Sequence, residues 1–367
     1  MQNQRLELKI IPGLSVGAFK LGMNLNEILK YLQLNSNIYE QVHLKYNEEF
    51  PFKNDILINL PYNGISLRVC PYKQKLKSIE IYDFQKVSQV YRNQEYSSQK
   101  TIPTFVNICK IFGPIYPGNF NLEKSQYELN YPGITFIFPI PKEFINKYKD
   151  ELPFELEDGT TPVANRVYIY SGKNWTESVF PSNNESSNNF DDLYINENYE
   201  LIFPKKNLTL SLGMDSQNVI GDLGSPSNIY YKHEDKMTIH SSDKEEVTQN
   251  TSQDYFYNYY HLGLDLLFDG LNNKIKKIIL HHNFPGHFDF FKYNKCQYKL
   301  KLSQDQEISP NNDWTTIQSI LGPPIGPPII FKREEDINPF GSTHIYGYEH
   351  LLFEVLKNNY VATMTIF

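Results

Sequence analysis

Residues 281–289, HHNFPGHFD, gather three of the chain's nine histidines beside an aspartate. Imidazole and carboxylate are the side chains that most readily hold a metal ion or move a proton at neutral pH. Spacing argues against a shared ion. His281 and His282 are adjacent, and on an extended chain neighbours point to opposite faces. No H-x-x-x-H or C-x-x-C pair accompanies them. The reading is therefore no metal ligand. Nucleophilic and phosphate chemistry fare no better, since the sequence has no G-x-S-x-G elbow, Walker loop or G-x-G-x-x-G. Acidic residues are scattered over polar faces. No catalytic residue and no cofactor is assigned, and the chain reads as a non-enzyme.

Two groups remain as candidate binding surface. The first is His281, His282, Phe284, Pro285, Gly286 and His287, where Phe284-Pro285-Gly286 makes a turn and the rings around it are expected to be partly exposed. A strand extension that closes a sheet explains the same segment equally well. The second is Lys274, Lys276 and Lys277, which with Lys292, Lys295, Lys299 and Lys301 form a basic zone in a chain of net charge −7. Contact with anionic lipid or an acidic partner is one reading. A solvated strand face whose lysines discourage edge pairing is the favoured one. The net charge argues against a general phosphate or nucleic-acid binder. The run Tyr255, Phe256, Tyr257, Tyr259, Tyr260 reads as core strand with spare rings for a protein contact.

The elements that position these residues recur along the chain. Leu6–Ile11 reads as a strand ended by Pro12-Gly13. Asn24 caps a helix with Glu27 three residues on, and Leu25, Ile28, Leu29 and Leu32 form one apolar stripe. Strands are expected at 38–46, 55–60, 65–70 and 76–82, with turns at Pro61–Gly64 and Pro71–Gln74. The plan returns at residues 212–280. Leu21-Gly22-Met23 recurs as Leu212-Gly213-Met214, Asp215 is the new cap, Val219, Ile220 and Leu223 supply the face, and Gly224 ends the helix. Gly64-Ile65-Ser66-Leu67 falls on Gly263-Leu264-Asp265-Leu266, and Lys75–Ile79 on Lys274–Ile278.

Two weaker copies follow. In one, Pro103 suits the first helical position, Phe105, Ile108, Ile111 and Phe112 are apolar, and ITFIF and VYIY supply strands. In the other, Asp313 caps, Ile317, Ile320 and Leu321 pack, and Gly322-Pro323 terminates. Leu351–Glu354 is matched to Leu266–Asp269, and Asn358–Val361 to Asn272–Ile275 after a one-residue insertion.

The expected fold is α+β: tandem repeats of a short helix followed by about three antiparallel strands, in two lobes of two repeats each. The N-terminal lobe is 1–172, with repeats at about 6–92 and 101–172. A polar linker and connecting strand take 173–207. The C-terminal lobe is 208–367, with repeats at about 208–302 and 311–367. One repeat cannot cover its helix and both sheet edges, which is a physical reason for pairing. Polar stretches at 173–192, 241–253 and 333–343 read as linker or loop. The length of 367 residues suits two cores. Cys70, Cys109 and Cys296 are far apart in apolar contexts and read as reduced thiols. No apolar leader or membrane-length run is evident.

The start G-M-x-x-x-x-[IV] with a later L-G-x-P looks like the small α+β fold of bacterial outer-membrane assembly lipoproteins and the beta-lactamase inhibitor protein, at fold level only. A more specific likeness lies in EDKMTIHS (234–241), DYFYNYYHLGLDLLFD (254–269), KIKKIILHHNFPGHF (274–288) and NPFGST (338–343). With LGM (21–23), DILINLPYNGI (55–65), YPG (116–118) and VYIYSG (167–172), in that order, they resemble the phagophore assembly factor one family over nearly the whole chain. The segment 173–207 departs most. The resemblance implies a non-enzymatic autophagy regulator, a scaffold or adaptor in the cytoplasm and at the phagophore assembly site. It implies a WD-repeat beta-propeller partner of the breast carcinoma-amplified sequence three type, which supplies phosphoinositide recognition. It implies no catalytic residue. A Golgi or endosomal trafficking adaptor and a direct anionic-lipid binder are the alternatives.

Overall fold

The computed structural model describes residues 6–114, 118–145, 148, 152–178, 180, 193–232, 253–302, 306–332 and 341–367. The expected insertion at 241–253 (save its last residue), the stretch 181–192 of the linker and the loop at 333–340 lie outside them. So do EDKMTIHS except as sequence, and parts of YPG and NPFGST.

The chain divides into two compact units, Met1–Asn47 with Pro51–Glu185, and Glu48–Phe50 with Ser186–Phe367. In the first, β1 (Leu6–Ile11), β2 (Ser15–Val16) and β3 (Phe19–Lys20) precede α1 (Leu25–Leu34). Then come β4 (His43–Lys45), β5 (Ile56–Leu60), β6 (Ile65–Val69) and β7 (Leu76–Ile81). After β8 (Val87–Tyr91) and β9 (Gln94–Ser97) the pattern repeats as α2 (Phe105–Phe112), β10 (Asn119–Asn121), β11 (Gln126–Tyr131) and β12 (Ile134–Pro139). The one-turn α3 (Lys142–Ile145) separates β12 from β13 (Arg166–Tyr170).

The second unit runs β14 (Leu193–Ile195), β15 (Leu201–Phe203), β16 (Leu208–Leu210), α4 (Ser216–Leu223), β17 (Asn228–Tyr231) and β18 (Tyr255–Tyr259). It continues with β19 (Leu264–Phe268), β20 (Ile275–His281), β21 (Tyr298–Lys301) and β22 (Glu307–Ile308). It ends with α5 (Trp314–Leu321), β23 (Ile329–Phe331), β24 (Thr343–Gly347), β25 (Leu351–Val355) and β26 (Val361–Ile366).

The fold is mixed α+β and mostly sheet. Among the described residues each unit holds a five-stranded and an eight-stranded sheet. The eight-stranded orders are β10-β11-β12-β13-β7-β6-β5-β4 and β17-β18-β19-β20-β26-β25-β24-β23. Read from opposite ends they are the same succession of elements. At each centre the last strand after one helix pairs antiparallel with the last strand after the other, β7 with β13 and β20 with β26. The small sheets likewise share one parallel pair, β1 with β8 and β14 with β21.

Local chemistry explains why the same elements form. The residue before each long helix makes an isolated bridge just ahead of the closing strand: Asn24 to Lys75, Thr104 to Val163, Asp215 to Lys274, Asp313 to Tyr360. The Leu-Gly-Met segments are part of this joint. Gly22 N–H donates to Leu76 O and Leu76 N–H to Met23 O; Gly213, Ile275 and Met214 repeat the pair. Three helices end at a glycine whose carbonyl accepts a tyrosine hydroxyl: Gly113 from Tyr131 (2.9 Å), Gly224 from Tyr259 (3.0 Å), Gly322 from Tyr348 (2.8 Å). Such terminal carbonyls have no partner inside the helix. The second core gathers Val219, Leu223, Trp314 and Ile317 against Leu264, Leu266, Phe268, Ile278, Leu280, Phe353 and Met364.

Several expectations change. Four strands follow each long helix, where about three were expected, because β4, β10, β17 and β23 are short edge strands without a buried alternation. The strand at 38–46 shrinks to β4. Thr104 is the cap of α2, its Oγ1 accepting Asn107 N–H at 3.2 Å, so Pro103 precedes the cap. Ile220 is exposed on α4. Leu351 pairs with Ile366 as Leu264 does with Leu280, so the match of β25 to β19 moves by two residues. A two-residue shift keeps every side chain on its face, which is why an alternating pattern tolerates the misalignment.

Candidate site on the outer face of the second large sheet

The face of the second eight-stranded sheet away from α4 and α5 carries two rows of paired residues. One runs Asn228, Asn258, Asp265, Ile279, Thr365, Leu352 across β17, β18, β19, β20, β26 and β25. The other runs His281, Thr363, Glu354, Ile345, Ile329 across β20, β26, β25, β24 and β23. Except for Ile329, all of these line a cavity of about 740 Å³, together with Tyr230, Phe256, Asp289, Lys292, Tyr293 and Phe331.

The cavity floor is polar and buried. The Asp265 carboxylate accepts Asn258 Nδ2–H at 2.7 Å and the Tyr293 hydroxyl at 2.8 and 2.9 Å. His281 Nε2 lies 2.9 Å from Asp265 Oδ2, so the carboxylate holds the Nε2–H and fixes the ring's orientation. The imidazole stacks on the Tyr293 ring with centroids 3.7 Å apart and planes 4° from parallel. Burial, then the Asp265 charge, raises the Tyr293 hydroxyl far above the usual phenol range, so it stays a donor. Beside this cluster Glu354 accepts from Thr343 (2.8 Å) and Thr363 (3.2 Å), and His287 Nε2 lies 3.4 Å away.

The candidate residues separate. His281 and His287 meet the cavity carboxylates. His282 turns the other way and shares a 3.0 Å hydrogen bond with Tyr298. Burial, and secondarily the Lys295 ammonium, pushes its pKa down to about 3. The expectation of partly exposed rings at the turn fails for Phe284, which is 1% exposed, packs on Tyr360 with centroids 5.1 Å apart, and lies under Lys295 at 4.8 Å. Pro285 is buried, Gly286 half-buried and Phe288 exposed. The turn folds back as cover, since Cys296 N–H donates to His281 O and Asn294 N–H to Tyr260 O.

The lysines are distributed over separate elements. Lys276 sits between Asp254 and Asp269 at 3.1 and 2.9 Å. The bond to Asp269, then that to Asp254, raises the Lys276 pKa, and the Lys276 bond lowers that of Asp269. Lys274 and Lys277 are exposed, Lys277 standing 6.0 Å from the Phe367 ring. Lys292 pairs with Asp289, Lys299 with Glu307, and Lys295 donates to Asn311 at 2.7 Å.

Sequence reasoning missed Asn258, Asp265, Tyr293 and Glu354. A signal existed. In the first unit, the matched strand ISLRV alternates buried and half-buried, while LDLLF is buried at every position. The first unit's equivalent face carries ion pairs instead, Arg68 and Lys77 with Asp55 and Arg166 with Glu80. An aspartate inside an otherwise apolar strand thus marks a face that is covered. Among the described residues no three His, Cys, Asp or Glu side chains are grouped to hold a metal ion, and no helix is long and apolar enough to cross a membrane.

A family model described as phagosome assembly factor 1 matches residues 15–367. A PHAF1 protein of Arabidopsis thaliana is 37% identical over 376 residues, spanning 97% of this chain and 92% of the relative. A PHAF1 protein of Drosophila melanogaster is 30% identical over 412 residues, 99% of this chain and 94% of the relative. One of Caenorhabditis elegans is 27% identical over 406 residues, with 98% and 94% covered. No solved structure matches.

Proposed function

The chain belongs to the phagosome assembly factor 1 family, and from that membership we propose that it is a non-enzymatic regulator of autophagy. It acts as a scaffold or adaptor at the phagophore assembly site, reached from the cytoplasm, with a WD-repeat beta-propeller partner of the breast carcinoma-amplified sequence three type. We also read each unit as two copies of one helix-plus-four-strand repeat. The four cap-to-strand bridges support that reading.

The structural observation that carries a docking role is the state of the second large sheet's edges. All four residues of β17 (NIYY) and all three of β23 (IIF) are exposed. Proteins normally blunt an edge with charge, proline or cover, because its free N–H and C=O groups pair with another strand. The first unit does so with polar edges, HLK in β4 and NFN in β10. Strand addition by a partner uses an edge with no neighbouring strand, as both of these are among the described residues, with main-chain bonds giving affinity and side-chain pockets giving selectivity.

Co-precipitation from starved cells tests this. The propeller protein is recovered with the wild-type chain and lost with Ile330→Lys, which puts a charge on the exposed edge. Failure to recover it, with normal autophagosome formation in cells lacking the chain, overturns the proposal. Tagged protein that stays on the Golgi during starvation favours the trafficking adaptor. The lipid alternative has less support, since Lys276 is held by two carboxylates.

A further inference from the structure

Backbone pairing decides which groups β17 presents at its sheet edge. Among the described residues it is the last strand of its sheet, and its neighbour is β18. In an antiparallel ladder alternate residues bond to one neighbour, and those between them turn their N–H and C=O the other way. Lys232 N–H donates to Asp254 O at 2.9 Å and Ser227 N–H to Asn258 O at 2.8 Å, so Asp254, Phe256 and Asn258 face β17. Their partners Tyr230 and Asn228 are thereby bonded to β18, and Ile229 and Tyr231 point their backbone groups outward. No described strand meets them on that side.

The two outward residues are symmetric about Tyr230, so this edge complements itself. A second β17, antiparallel and related by a two-fold axis at Tyr230, sets each Ile229 opposite the other copy's Tyr231, and each such pair exchanges both of its N–H to C=O bonds. Charge fits the same register. The strand NIYY carries none, and Lys232 falls opposite the neutral Asn228 of the other copy. The two lysines then stand roughly 13 Å apart along the strands, beyond about one screening length in physiological salt. Side chains agree as well. Ile229 and Tyr231 share a face with Tyr257 and the second core, the side that α4 covers, and Ile220 on that helix is exposed too. The other edge lacks this symmetry. On β23 the alternation set by the Tyr348 to Leu351 bond turns Pro328, Ile330 and Lys332 outward, and Pro328 has no N–H to give.

We propose that the chain forms a two-fold symmetric dimer by antiparallel pairing of β17 with the β17 of a second copy, centred on Tyr230. A four-residue strand covers less than the roughly 1,200–2,000 Å² of a standard interface, so the dimer is weak and depends on concentration. The inference goes beyond the docking role: it gives β17 to a second copy and leaves β23 to another protein, whose strand can choose its own register. Ile330→Lys should not disturb the dimer, so each reading can fail alone.

Sedimentation velocity of the full chain over a wide range of concentration tests it. Wild type should pass from monomer to dimer as concentration rises. Ile229→Pro removes an outward N–H at a place where an edge strand tolerates proline, and should weaken the dimer by about tenfold or more. Tyr230→Glu and Tyr230→Lys set like charges against each other at the axis and should each be monomeric, and the two mixed should associate. That rescue separates lost pairing from a folding defect. Oxidation reads the register. Across the axis the Tyr230 Cα atoms stand about 4.5 Å apart, within reach of a disulfide, and the Tyr231 Cα atoms about 8 Å apart, beyond it. Tyr230→Cys should therefore cross-link into a dimer, and Tyr231→Cys should not. A wild-type chain that stays monomeric at every concentration, as an edge reserved for another protein would leave it, overturns the proposal. So does a dimer indifferent to Ile229→Pro, or cross-linking of Tyr231→Cys as fast as of Tyr230→Cys.

Discussion

His282 is fully enclosed between the closing strand and Tyr298, and its imidazole is held neutral well below its usual pKa. The unfolded chain takes up a proton there below about pH 6.5, which the native chain refuses until about pH 3, so this residue's contribution to stability is lost as pH falls through that window. Between pH 7 and pH 5 the loss is about 2 kcal/mol. Denaturant titrations of His282→Gln and wild type should show a pH dependence smaller by that amount in the variant, whatever the absolute cost of the substitution. Cys296 is a parallel case: burial pushes its thiol up to about 12, so alkylation of the native chain should spare it and label the half-buried Cys70 and Cys109 first. Peptide mapping reads the order. At this scale the sequence was partly legible. That His281 and His282 diverge follows from the two-residue period of a strand. Their partners do not: Asp265 lies sixteen residues before His281, and only the pairing of β19 with β20 brings them together.

Elements were legible where a stripe had to be buried and illegible where it did not. The Leu25, Ile28, Leu32 face and its Asn24–Glu27 cap are where the spacing puts them. The edge strands bury little and carry no alternation to read. Of the tyrosines that close three helices, only Tyr259 stood out in the sequence, as a member of an aromatic run, although each lies at or just past the end of a strand, facing a helix-ending glycine. Tyr259→Phe removes the hydroxyl from Gly224 O and should cost about 1 kcal/mol, more if the carbonyl stays dry; thermal or urea unfolding measures it. Gly263 shows why one turn had to recur with Gly64. Both have positive φ, 69° and 65°, and a Cβ on Gly263 would lie 2.2 Å from Asn294 O and 2.8 Å from Cys296 N. That backbone belongs to the segment returning from the turn after His281, and it cannot retreat without losing the Cys296 to His281 bond. Gly263→Ala should therefore destabilise by several kcal/mol, beyond the about 1 kcal/mol of an unhindered exchange. It should also loosen residues 282–297 first, as hydrogen exchange would report.

The same eight-stranded succession is built twice; in the second unit one core gathers both helices, and in the first both helices bury residues, Leu25, Ile28 and Leu32 on α1 and Phe105 and Ile108 on α2. Ile79 and Ile278 are matched positions, both fully buried and both on the closing strand after the first helix of a unit. Ile79 is paired with Leu67 and Ile169, and Ile278 with Leu266 and Ile366, and units of this length can bury a core of their own. If the units are separate cooperative blocks, truncating either side chain should lower stability by about 2–5 kcal/mol in one block only. Hydrogen exchange followed by mass spectrometry distinguishes the outcomes. Ile79→Ala should deprotect β5, β6, β7 and β13 and leave β18, β19, β20 and β26 unchanged, and Ile278→Ala should do the reverse. Simultaneous loss of protection in both sets would mean that the chain folds as one block. The separation bears on function. With independent blocks, the charged outer face of the first sheet and the cavity face of the second can diverge without each destabilising the other. The sequence already shows that divergence in Ser66 and Arg68 against Asp265 and Leu267, at matched places on one inherited strand plan.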